Sequence, residues 1–291
     1  VTGPTGVGKS LFATELAEKI NGEIIGADAF QVYEGLGILT SQPGEDLRVR
    51  VPHHLVGTVP ATDSFDAARF AAAARSTISE IVAREHVPVI VGGTGLYLKA
   101  LTHGLADLPP LDPELRAKIE AISLAEALAR LCELDPAAPA NIDVCNPSRV
   151  RRALEIVTST GLPLAASRRE WTSASSEFCG ILLVRERDEL RARIAANVDH
   201  MFAEGVLEEV RLASHAGPWA SRAIGFREIQ VHLRGETDLT SCRDSIVSAT
   251  RKYAKRQLTW CRNQFNFSAI DLTATSAPIE SALNLLARTS A

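Results

Sequence analysis

The chain has 291 residues, of which 46% are hydrophobic and 23% charged, with a net charge of −4. That length suits a core plus a smaller domain or large insertion, and no apolar stretch approaches a membrane-spanning length. Five separated cysteines, never spaced as CxxC, exclude a disulfide framework and a cysteine zinc site and fit reduced thiols in a cytoplasm.

The first element is chemical. Residues Gly3, Pro4, Thr5, Gly6, Val7, Gly8, Lys9 and Ser10 match GxxxxGK[ST] at every constrained position. Such a loop converges backbone N–H groups on a di- or triphosphate, Lys9 adds a point charge, and the Ser10 hydroxyl is placed to hold Mg2+. Leu11, Phe12, Leu16 and Ile20 recur at helical spacing until Asn21-Gly22 stops the helix. The strand that precedes such a loop is represented by Val1 and Thr2, so the chain as given is expected to begin inside its first strand.

Ile24 and Ile25 then read as a strand that delivers Asp28 at its C-terminal end, the edge where parallel sheets bind ligands. Asp28 there suits a proton acceptor, a magnesium ligand or a helix cap equally. The adjacent His53 and His54 face opposite ways on a strand and read as structural. Asp63 or Ser64 is expected to cap a helix burying Phe70, Ala74, Ile78, Ile81 and Val82. Val87 to Val91 forms a buried strand, closed by Gly92-Gly93-Thr94-Gly95 and a short helix through Tyr97 and Leu101. Thr94 is either part of a second ligand turn or only a tight turn.

Between about Leu105 and Phe178 the pattern is helical only, broken by prolines. Ile181 to Val184 returns to the sheet, Asp188 is placed to cap a helix toward Gly205, and a long helix runs from Ser241 to about Phe265. Its stripe includes Ile246, Val247, Ala254, Leu258 and Cys261, while Arg251, Lys255 and Arg262 share another face. The expected architecture is α/β: a P-loop NTPase-like parallel sheet flanked by helices over 1–106 and 179–291, with an all-helical insertion domain over 107–178.

A phosphate loop is shared by many enzymes. No NKxD tetrapeptide supports a GTPase, and the strand ending in Gly92-Gly93-Thr94 lacks a Walker-B acid. The blocks GPTGVGKS, ADAFQVYEGL, VGGTGLYLKAL, DPELRAKIE, SRVRRALEI, SRAIGFREI and YAKRQLTWCR stand in one order along the chain. Together they resemble the tRNA dimethylallyltransferases over nearly its whole length. The resemblance implies transfer of a dimethylallyl group from dimethylallyl diphosphate to N6 of the adenosine 3′ of the anticodon, with Mg2+ and release of pyrophosphate. It implies that Asp28 accepts the amine proton, that Thr94 steadies the diphosphate or the reacting centre, and that Arg222 stabilises the leaving group. The phosphate loop would then hold the isoprenoid diphosphate.

The same resemblance sets Asp28, Ala29, Phe30 and Gln31 beside an extruded base. It turns Arg116, Ser148, Arg149, Val150, Arg151 and Arg152 toward the tRNA anticodon stem-loop. Two further stretches join them: Arg222, Ala223, Ile224, Gly225, Phe226 and Arg227, then Lys255, Arg256, Gln257, Leu258, Thr259, Trp260, Cys261 and Arg262. On packing grounds alone Trp260 and Cys261 read as core, and a basic helical face reads as solvated surface. Two positions depart from the family pattern: Ala29 replaces a serine, and Gln42 replaces a lysine. A relative acting on free adenine nucleotides, a P-loop small-molecule kinase and a non-catalytic RNA binder share parts of this pattern. A monomer without membrane contact suffices for all of them.

Overall fold

The computed structural model describes residues 1–104, 112–167 and 178–289. They form two compact units, Val1–Thr102 with Ala174–Ala291, and His103–Ser173. The expected boundary at 106/107 lies outside the described residues.

In the larger unit the chain runs α1 (Lys9–Lys19), β1 (Gly22–Gly26), α2 (Glu45–Arg48), β2 (His53–His54), α3 (Ala67–Ala83), β3 (Val87–Val91) and α4 (Gly95–His103). The smaller unit supplies α5 (Pro113–Ala121), α6 (Leu124–Leu134), α7 (Pro147–Thr160) and α8 (Leu164–Ser167). The larger unit resumes with β4 (Ile181–Val184), α9 (Arg187–Ala203), α10 (Val206–Leu212), α11 (Phe226–Leu233), α12 (Leu239–Gln264), β5 (Ser268–Asp271) and α13 (Pro278–Thr289).

Strands β2, β1 and β3 pair in parallel in that order, and β4 pairs in parallel with β5. Thr2 joins the two groups, bridging in parallel to Gly92 just past β3 and to Leu182 in β4. Alternation along β1 assigns the faces. Ile24 packs with Ala13 and Ala17 of α1, whereas Ile25 joins the larger core with Phe70 of α3 and Ile246 of α12. Ile181 and Leu183 pack with Phe12 and Leu16 of α1 and with α13. A sheet with helices on both faces follows, as runs of Val and Ile in parallel strands require.

Helix starts differ from expectation by a few residues. Asp66, not Asp63 or Ser64, caps α3 by accepting from the Ala68 and Arg69 N–H groups; Asp63 is spent in a turn with Pro60. Glu186 takes the place expected of Asp188 at α9, and Asp238 caps α12. Val82 is 56% exposed because it lies one residue, about 100°, around from the buried Ile81. The smaller unit contains only helices among its described residues, packed around Leu131, Val150 and Leu154.

His53 and His54 are structural, as expected: His53 Nδ1 donates to Val51 O at 2.7 Å and His54 Nε2 to Glu23 at 2.6 Å. Glu23 is buried on β1 and also accepts from Arg84 at 2.8 Å and His86 at 2.7 Å. Arg84 foremost, against the opposing effect of burial and with help from His54 and His86, holds its carboxyl down at about 2. A folded-state value below the unfolded value of 4.5 stabilises the fold above that pH, and the stabilisation is lost as pH falls toward about 2. Glu23→Gln is expected to cost about 2 kcal/mol at neutral pH after screening by the half-exposed Arg84, and to flatten the acid limb of stability. Urea titrations from about pH 6 to pH 2.5 check this; an acid limb equal to that of the parent contradicts it.

Candidate functional site

The glycine-rich loop leaves the sheet between β3 and β4. Gly6 and Gly8 take φ of 80° and 106°, left-handed values that side chains resist. Gly8 caps α1 without any side-chain bond, so the first N–H groups of this helix are left for a ligand and carry its positive dipole end. Lys9 Nζ folds over the loop, donating to Gly3 O and Pro4 O at 3.0 Å each. Burial brings its pKa down to about 8, against the opposing pull of the Asp28 charge. Two arginines brace the loop from the far side of its sequence: Arg193 Nε donates to Gly6 O at 2.9 Å and Arg185 Nε to Val7 O at 3.1 Å.

Asp28 stands two residues past β1. Its Oδ1 accepts from the N–H groups of Phe30 at 2.9 Å and Gln31 at 3.3 Å, and no described residue hydrogen-bonds Oδ2. The second glycine turn wraps the same segment. Thr94 Oγ1 accepts from Ala29 N–H at 3.0 Å, and Thr94 N–H donates to Ala27 O at 3.3 Å. A Cβ on Gly92 would collide with the Ala27 carbonyl, so this approach requires glycine.

Loop and carboxylate open onto one cavity of about 340 Å3. Thr5, Gly6, Gly8, Lys9 and Ser10 line one part, and Asp28, Phe30 and Gln31 another. Leu39, Ile194, Val198, Met201, Ile224 and Ile246 give the same cavity apolar wall. Thr40, Ser41, Arg193, Asn197, Thr250 and Tyr253 add polar lining.

The sequence-selected residues divide accordingly. Ala223 and Ile224 reach the cavity wall, but Arg222 is exposed, with its guanidinium 5.4 Å over the Trp219 ring and outside the lining. Ser148, Arg149, Arg227, Lys255, Arg256, Thr259 and Arg262 are exposed. Val150, Phe226, Gln257 and Cys261 are buried and have no surface to offer RNA, a correction that helix phase explains. Gln257 bonds the loop, and Cys261 lies 3.6 Å from the Thr2 hydroxyl. Gly225 is buried and Leu258 half-buried, while Trp260 packs edge-on to Phe265. Arg116 and Arg152 pair with the buried Glu155, and Arg151 donates to Ile122 O. Gln42, the neutral replacement, donates to Gln31 O and Tyr33 O at 2.8 Å, so it organises the segment behind Asp28. Arg185 and Arg193 carry no motif, and Tyr253, which opens the YAKRQLTWCR block, was not singled out as a site residue.

The family model described as IPP transferase matches residues 31–264. This chain belongs to the IPP transferase family. A tRNA dimethylallyltransferase of Phenylobacterium zucineum is 42% identical over 272 residues, 91% of this chain and 89% of that protein. Among solved structures, the full-length tRNA isopentenylpyrophosphate transferase of Bacillus halodurans superposes with a TM-score of 0.74 at 35% identity, covering 99% of this chain and 94% of the other. A eukaryotic dimethylallyltransferase acting on tRNA gives a TM-score of 0.82 at 26% identity, covering 98% and 76%.

In this IPP transferase the lowered Lys9 pKa has a measurable consequence. An anion needs the charged lysine, so binding above about pH 8 must take up a proton. Affinity for an alkyl diphosphate is expected to fall as pH rises through about 8, with proton uptake visible in buffers of different ionisation enthalpy. Calorimetry showing unchanged affinity and no uptake across that range contradicts the assignment.

Proposed function

We propose that this chain transfers a dimethylallyl group from dimethylallyl diphosphate to N6 of the adenosine 3′ of the anticodon in tRNA, releasing pyrophosphate. The observation that carries the reading is the single cavity that a cationic cradle, a carboxylate and a group of apolar side chains all line. That wall suits a five-carbon hydrocarbon. Supporting a P-loop NTPase-like core are the parallel sheet, the loop leaving its middle and the helix that follows.

The diphosphate lies on the N–H groups of the loop and of the first turn of α1, beside Lys9 and Arg193. As N6 attacks the allylic carbon, a C–N bond forms and the C–O bond to the diphosphate breaks. Positive charge grows on the amine and negative charge on the leaving oxygens. Asp28 accepts the amine proton, and its Oδ1 bonds to Phe30 and Gln31 hold the carboxylate while Oδ2 faces the task. Thr94 holds the Ala29 peptide and so the position of Asp28. Arg222 must leave Trp219 to reach the leaving group, whereas Arg193 already stands on the cradle. The Ser10 hydroxyl lines the cavity and is a hard oxygen donor suited to Mg2+, which keeps most of its ligands as water and phosphate oxygens. Among the described residues no group of three His, Cys, Asp or Glu side chains gathers as a dedicated cage, so the ion fits as a companion of the diphosphate. When bound, Mg2+ would neutralise the departing diphosphate. Exposed Arg149, Arg227, Lys255, Arg256 and Arg262 supply phosphate contacts that a free nucleotide has no use for.

Asp28→Asn is expected to lower transfer to an anticodon stem-loop by about 10^2 to 10^4 while its affinity for that RNA changes little. Mass analysis of nucleosides from tRNA and AMP incubations reads both substrate and product; an Asp28→Asn enzyme with most of its activity refutes the proton-acceptor role, and product from AMP alone refutes the tRNA substrate.

A further inference from the structure

Gln257 is only 5% exposed, yet the mechanism above gives it no task. Its amide is bonded at both ends. Oε1 accepts from Thr5 N–H, in the diphosphate cradle, at 2.8 Å, and Nε2 donates to Gly93 O at 3.0 Å. Gly93 precedes Thr94, whose hydroxyl holds the Ala29 peptide next to Asp28. One side chain from α12 therefore ties the cradle to the turn that carries the proton acceptor. The contact is close enough that a Cβ on Gly93 would collide with Nε2. One helical turn earlier, on the same face, Tyr253 lines the cavity.

A buried amide is a costly way to fill space, since losing one partner strands a polar atom, and an apolar residue of equal volume packs as well. What an amide adds is a set distance and direction between two backbones. We propose that Gln257 is a positioning residue for the transfer reaction: its amide sets the separation of the diphosphate cradle from the Thr94–Asp28 turn, and so the alignment of amine and allylic carbon.

This inference rests on the transfer activity proposed above. It predicts a loss in the bond-making step with ligand affinity preserved, because the cradle keeps Lys9, Arg193 and the N–H groups of α1. A displacement near 1 Å is enough: Gln257→Met is expected to slow single-turnover transfer by about 10- to 100-fold, with the Kd of an unreactive thio-linked dimethylallyl diphosphate analogue within about threefold. Gln257→Glu keeps an acceptor for Thr5 but loses the donor to Gly93, and is expected to fall between Met and the parent. Gly93→Ala attacks the same contact from the other side, at a residue whose backbone is not left-handed, and is expected to show the same split. Rates are taken per folded molecule by circular dichroism, so a poorly folding Met variant leaves the Glu and Gly93 variants to decide. Unchanged rates in the folded variants, or rate losses matched by equal losses of analogue affinity, overturn the inference. A parent enzyme that forms no prenylated adenosine overturns the proposed function instead.

Discussion

The backbone of Val1 and Thr2 is the seam on which the site depends. Thr2 N–H donates to Ile181 O and Leu183 N–H to Thr2 O, both at 2.8 Å, while Gly92 N–H donates to Val1 O at 3.2 Å. Because this short length lies between β3 and β4, the loop that follows it emerges between their C-terminal ends. On one side it meets Gly92, Gly93 and Thr94; on the other it meets Arg185, just past β4. β1 lies beyond β3, so Asp28 arrives at the same edge. Parallel sheets collect ligands there because every strand delivers its following loop to that edge.

Charge is distributed along the cavity in the sense the chemistry needs. In the proposed reaction Lys9, Arg193 and the start of α1 would face the leaving diphosphate, and Asp28 would take the proton shed by the amine. Ile194, Val198 and Met201 of α9 and Ile246 of α12 give the same cavity apolar wall. In the free protein the burial that weakens the hold of Lys9 on its proton is offset in part by Asp28. In the proposed complex a diphosphate would supply a nearer counter-charge to Lys9.

The parts of the site legible in the sequence are those built by neighbours. Glycine spacing declares the loop, and a carboxylate two residues past an apolar strand declares Asp28. The parts that were not legible come from afar: Arg193 lies 187 positions from the Gly6 carbonyl it binds, and Gln257 lies 252 from Thr5. Gln257 and Cys261 sit one turn apart on the inward face of α12, so their burial was readable from the stripe through Ala254, although the residues around them resemble an RNA-facing block. Strand β5 escaped notice because only Ile270 of its four residues is buried. Helix caps shifted by a few positions because carboxylates cluster there, and only the folded backbone selects which one reaches the N–H groups. The Ala29 departure leaves the backbone contact to Thr94 intact, since that bond uses its N–H.

The central claim is that diphosphate and adenine amine meet end to end within one cavity. A crystal structure of the protein with the thio-linked diphosphate analogue and an anticodon stem-loop tests it most directly. The account predicts the diphosphate on the N–H groups beside Lys9 and the extruded adenine N6 within hydrogen-bonding distance of Asp28, with the hydrocarbon between them. A diphosphate seated away from the loop, or an adenine amine held out of reach of Asp28, contradicts it.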